Sequence, residues 1–116
     1  MDIKLFNIVA IVNEGFSEFV MDVAKENGAR GGTIIPANSS VSPDAMKLYG
    51  IGIHPEKEII LILVNKDIVD IILKKLYDKL GSSSEAMGIF FTLPVAHASE
   101  NLLKQYAKKT GETNEW

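Results

Sequence analysis

Residues 59–64, Ile-Ile-Leu-Ile-Leu-Val, are apolar without a break, and a segment of helical spacing follows them directly. A strand with one wet face alternates apolar and polar side chains; an unbroken run is the pattern of a strand that is dry on both faces. The chain has 116 residues, enough for one domain over residues 1–116 with a single core. Its own helices can cover one face of such a sheet. A second copy of the chain is the natural cover for the other.

Along the chain, residues 3–12 are apolar and rich in β-branched side chains, and Asn13-Glu14-Gly15 ends them, which predicts a first strand. Phe16, Phe19, Val20, Val23 and Ala24 then recur at helical spacing, with Asn27-Gly28 as the stop. Residues 31–37 read as a second strand and 59–64 as a third. Asn65 stands where it could cap a second helix with Ile68, Ile71, Ile72, Leu76 and Leu80 on one face. Lys74, Lys75 and Lys79 suit that helix's carboxyl end, and Gly81 closes it. A fourth strand spans 89–95 and ends near Pro94, and the tail 98–116 adds a short helix with Leu102, Leu103 and Tyr106 turned inward.

This order, βαβ followed by βαβ, predicts an α+β ferredoxin-like sandwich. It has a four-stranded antiparallel sheet, the first and third strands central, both main helices on one face, and an extra short C-terminal helix. The bare face is then expected to be buried between subunits of a closed symmetric oligomer. Residues 38–56 form the second unusual feature. They carry Ser39, Ser40, Ser42, Pro43, Gly50, Gly52 and Pro55 where a hairpin needs only a few residues. A long connection on a rigid sheet is a common place for binding.

Composition narrows the function. The net charge is −3, from 15 acidic and 12 basic residues, and Arg30 is the only arginine, so nucleic acid is not the expected partner. Without cysteine there is no disulfide, no thiolate metal site and no cysteine nucleophile. Met1-Asp2-Ile3-Lys4 lacks the basic region of a signal peptide, and no apolar run is long enough to span a bilayer; the expectation is a cytoplasmic protein.

Several segments together resemble the nitrogen regulatory P-II signal-transduction family. They are Gly28-Ala29-Arg30-Gly31-Gly32-Thr33-Ile34, the long loop with Leu48-Tyr49-Gly50, residues 64–70, Gly88-Ile89-Phe90-Phe91, and the tail Lys109-Thr110-Gly111-Glu112. The resemblance implies a homotrimer that binds an adenine nucleotide (AMP, ADP, ATP or a cyclic nucleotide) between subunits. It also implies that the 38–56 loop grips a membrane transporter or metabolic enzyme. No cofactor is required.

Carried onto this chain, the resemblance places Thr33 and Gly32 at the base, with Leu63 offering backbone to the same cleft. Ser82, Ser83 and Gly88 fall in the phosphate loop, and Lys109 near the phosphates. Tyr49, Ile51 and Ile53 are the partner-binding residues of the loop. The chain departs from the family at the phosphates: residues 81–88 have no lysine and carry Glu85, Ala107 stands where a second basic residue is expected, and residues 98–106 are an insertion. Fewer cations weaken an anion site and favour a less charged ligand such as a monophosphate or cyclic nucleotide.

Other chemistry finds less support. His54 and His97 have no ligand spacing, so no metal site is expected, and Ser82-Ser83-Ser84 has no histidine partner, so no catalytic residue is assigned. Glu56 and Glu58 flank Lys57 as a solvated strand entrance. Two alternatives stay open at this point. One is a small oligomeric ferredoxin-like enzyme, an isomerase or hydrolase; the other is an amino-acid-sensing regulatory domain.

Overall fold

A computed structural model describes residues 4–40 and 56–107. Its elements are β1 (Leu5–Asn13), α1 (Ser17–Glu26), β2 (Thr33–Asn38), β3 (Glu56–Asn65), α2 (Lys66–Leu80), β4 (Ile89–Pro94) and α3 (Glu100–Ala107). The sheet is antiparallel in the order β2-β3-β1-β4, so the two most apolar strands are central, as expected. With α1 and α2 on one face, the architecture is the ferredoxin-like α+β sandwich, and α3 is the extra C-terminal helix.

Register sorts every sheet residue to a face. Ile8, Ala10 and Val12 of β1 lie beside Ile62, Ile60 and Glu58 of β3 on the helix side. There the core closes: Ile8, Val12, Val20, Ile60, Ile62, Val64, Ile72 and Leu76 are all fully buried. Burying one such aliphatic side chain contributes about 1.5–3 kcal/mol. The opposite face carries Val9 and Ile11 of β1, Ile59, Leu61 and Leu63 of β3, Ile35 of β2, and Ile89, Phe91 and Leu93 of β4. Within one protomer this second face is open. Ile35 is 39% exposed, Phe91 43%, Leu93 50% and Ile89 59%. The apolar run of β3 is therefore dry on its helix side and half-buried on the other.

The helices correct three details. In α2 the buried residues are Val69, Ile72, Leu76 and Leu80, with Ile68 packed at the core's edge, while Ile71 is 48% exposed. Ile71 precedes Ile72 by one residue, about 100° around the helix, whereas Val69 stands three before Ile72 and seven before Leu76 and shares their direction. In α1 Met21 turns inward and Phe19 stays 55% exposed, its ring 5.8 Å from that of Phe16. Asn65 occupies the N-cap position of α2, but its side chain makes no capping bond.

Glu58 has a use beyond solvation. The amides of Gly15 and Ser17 donate to its Oε1 at 2.9 and 3.3 Å, so a β3 carboxylate supplies α1 with the acceptor that Phe16, its N-cap residue, lacks.

Candidate functional site

The sheet's open face is interrupted at one end. There β2 joins β3 only as far as Thr33 opposite Leu61, and the chain before it, Gly31-Gly32, leaves the sheet. The backbone of Leu63 consequently has no β2 neighbour. Gly32 permits the departure at close quarters, since a Cβ there would lie 2.8 Å from Met21 Sδ and 3.0 Å from the Leu61 carbonyl oxygen. Across this gap lies α3, which covers Leu5 on the same face; Leu5 is buried, and it shares a small cavity with Val95, His97 and Leu103. None of α3's own residues is fully buried, so the inward turn expected of Leu102, Leu103 and Tyr106 is only partial.

Between α3 and the sheet is an open recess of about 600 Å³ lined by Asn7, Arg30, Gly32, Thr33, Leu63 and Tyr106, among others. The Tyr106 hydroxyl donates to the Leu63 carbonyl at 3.0 Å. Arg30 lies over the Tyr106 ring, its Cζ 4.8 Å from the ring centroid, a distance at which a cation is drawn to the π face. Asn7, directly opposite Leu63 in the register, buries its Oδ1 with no hydrogen-bond partner among the described residues. A buried acceptor left unpaired is costly, and a donor supplied by a ligand would relieve it.

Burial raises the Tyr106 pKa above 10.0, and the nearby Arg30 charge partly opposes that rise. A raised folded-state value means that the packed phenol favours its proton. Its contribution to stability is therefore complete below pH 10 and is lost as pH climbs through the raised value. The difference absorbance at 295 nm between the native protein and Tyr106→Phe is expected to report a phenol ionising later than an ordinary tyrosine. Ionisation at or below the ordinary value would show that Tyr106 is not packed as described.

Thr33, Gly32 and Leu63 thus meet in one recess. Ser82, Ser83 and Gly88 do not join them within the protomer. They lie at the other end of the sheet, in the 81–88 loop, where the Asn13 amide donates to the Ala86 carbonyl at 2.9 Å. Ser82 and Ser83 are exposed, and Gly88 is buried with its N–H given to the Leu80 carbonyl at 2.8 Å. A cavity of about 550 Å³ beside this loop is lined by Asn13, Glu14, Phe16, Glu56, Ser84, Glu85 and Met87. Its carboxylates are a poor setting for phosphate. Lys109, Tyr49, Ile51 and Ile53 lie outside the described residues.

Sequence reasoning did not assign Asn7, Arg30 or Tyr106 to the site. The signal was Asn7, an amide between Phe6 and Ile8 inside the apolar run that leads to Asn13.

No protein-family model and no curated protein matches the sequence. Solved structures do match the fold. CPII from Thiomonas intermedia K12, a nitrogen regulatory PII-like protein bound to ADP, AMP and bicarbonate, has a TM-score of 0.61 at 20% identity, over 79% of this chain and 92% of its own. The fold is that of the PII-like proteins. Arabidopsis thaliana PII bound to citrate scores 0.58 at 23% identity, covering 81% of this chain and 79% of its own. The Bacillus subtilis GlnK–ATP complex scores 0.58 at 17%, covering 83% and 85%. The PII-like fold thus extends over most of the chain. No helix among the described residues is long and apolar enough to cross a membrane.

Proposed function

We propose that the chain is a divergent, non-catalytic PII-like signalling protein. It assembles as a cytoplasmic homotrimer, binds an adenine nucleotide in clefts between subunits, and regulates a transporter or metabolic enzyme through the 38–56 loop, in nitrogen control or a related response. The observation that carries this reading is the recess: Thr33, Gly32 and the strand backbone of Leu63, which no β2 residue faces, converge there, at the margin of an apolar sheet face.

That open face supports the assembly. A surface in which Ile35, Ile89, Phe91 and Leu93 are each at least 39% exposed is unusual for a monomer and suits burial against identical copies. Closing the trimer also offers a way to bring the 81–88 loop of one subunit toward the recess of its neighbour, which a single protomer keeps apart. The scarcity of cations beside that loop favours AMP or a cyclic nucleotide over ATP. Ligands of PII-like relatives, ADP and AMP in CPII and ATP in GlnK, point to the same class.

Native mass spectrometry with AMP, ADP, ATP and cyclic AMP is expected to give a trimer that gains nucleotide mass, with AMP or cyclic AMP retained at lower concentration than ATP. A monomer that retains none of the four would overturn the proposal.

A further inference from the structure

Tyr106 sits in the recess much as an aminopurine would. Its flat ring lies against the Arg30 guanidinium at 4.8 Å, and a donor on its rim reaches the Leu63 carbonyl at 3.0 Å. Those two features, a cation that accepts a π face and a strand carbonyl with no β2 neighbour, are what this end of the sheet offers an aromatic base. Both are held by a side chain of the same molecule.

The helix that delivers Tyr106 is held lightly. Eight residues of α3 are described, and none of them is buried. Among the described residues its ion pair is Lys104 to Glu100 at 3.2 Å, within the helix and on exposed side chains. Two turns of helix do not persist alone in water, so the order of Glu100–Ala107 depends on packing, which among the described residues runs through Leu103 and Tyr106. Segments held this way open at small free-energy cost.

We infer that α3 is an internal plug: Tyr106 occupies the position of an adenine base, and the nucleotide binds by displacing it. The inference rests on the adenine-nucleotide reading given above. In the exchange the base takes the face of Arg30, and its exocyclic amine takes the bond to the Leu63 carbonyl. The amine has an advantage over the phenol it replaces. Tyrosine has a single O–H, already given to Leu63, whereas an amino group has two N–H bonds and can also satisfy the orphaned Oδ1 of Asn7, which stands across from Leu63. The bound and unbound proteins would then differ in whether α3 is docked, so occupancy of the recess is converted into release of the chain after Ala98.

The test is calorimetric titration of AMP into the native chain, Tyr106→Phe and Tyr106→Ala. Removing the hydroxyl costs the plug one hydrogen bond and takes nothing from the ligand's contacts. Tyr106→Phe should therefore bind AMP roughly 2- to 10-fold more tightly than the native chain, and Tyr106→Ala at least as tightly as Tyr106→Phe. Amide exchange in α3 should quicken on adding AMP to the native chain. Equal or weaker AMP binding by Tyr106→Phe would overturn the plug and leave the nucleotide reading standing. If none of the three proteins bound AMP, the nucleotide reading would fall and the plug with it.

Discussion

Phe91→Asp is expected to yield a folded protein that no longer self-associates. Phe91 lies opposite Val9 of the central strand, between Ile89 and Leu93 on the open face, and is 43% exposed in the single protomer. An aspartate there costs the protomer about 1 kcal/mol or less, because water still reaches the position. At an interface the same carboxylate must be desolvated without a partner, at several kcal/mol per copy, and the apolar contact of the ring is lost as well. In the proposed trimer three copies in a closed ring multiply that loss, so the native protein and the variant should separate clearly by sedimentation at micromolar concentration. Phe19→Asp is the control. Phe19 is more exposed, at 55%, but sits on α1 on the far side of the sheet, and its substitution should leave the assembly intact. A Phe91→Asp protein that still sediments as a trimer would place the interface on another surface.

This prediction rests on what the sequence made legible. The order of elements, the central placement of the two apolar strands and the open second face all follow from period and composition, because a strand declares its faces by alternation and a helix by its turn. Details that depend on how a helix lies on the sheet were less visible. Ile71 and Val69 are both apolar, and only the direction set by Ile72 and Leu76 decides that Val69 goes inward. The recess was least visible of all. Thr33 and Leu63 come near each other through the β2–β3 register and Asn7 through that of β1 with β3, but Tyr106 is brought to them, and to Arg30, only by the docking of a short helix. No local period encodes that contact. The unusual polar residue in β1 was the trace it left.

Gly88 illustrates how a residue can match a binding motif and be held by packing. Gly88→Ala is expected to lower stability by about 3 kcal/mol, the cost of overpacking a closed site. A Cβ there would lie 2.3 Å from the Leu80 carbonyl oxygen and 2.4 Å from Phe90 Cζ. The phenyl ring could turn away. The carbonyl cannot, because it ends α2 and is bonded to the Gly88 N–H itself at 2.8 Å. The 81–88 loop would have to move as a unit, and it is tied to the end of β1. Asn13 donates from its backbone to Ala86 and from Nδ2 to Glu85, each at 2.9 Å, and accepts from Lys57 on Oδ1. A shift at Gly88 therefore reaches the last residue of β1 and the start of β3, next to the long loop. Urea unfolding measures the effect directly. A loss within about 0.5 kcal/mol, the range of an exposed substitution, would mean that the loop is free to relax and that glycine is needed there for a ligand's approach instead.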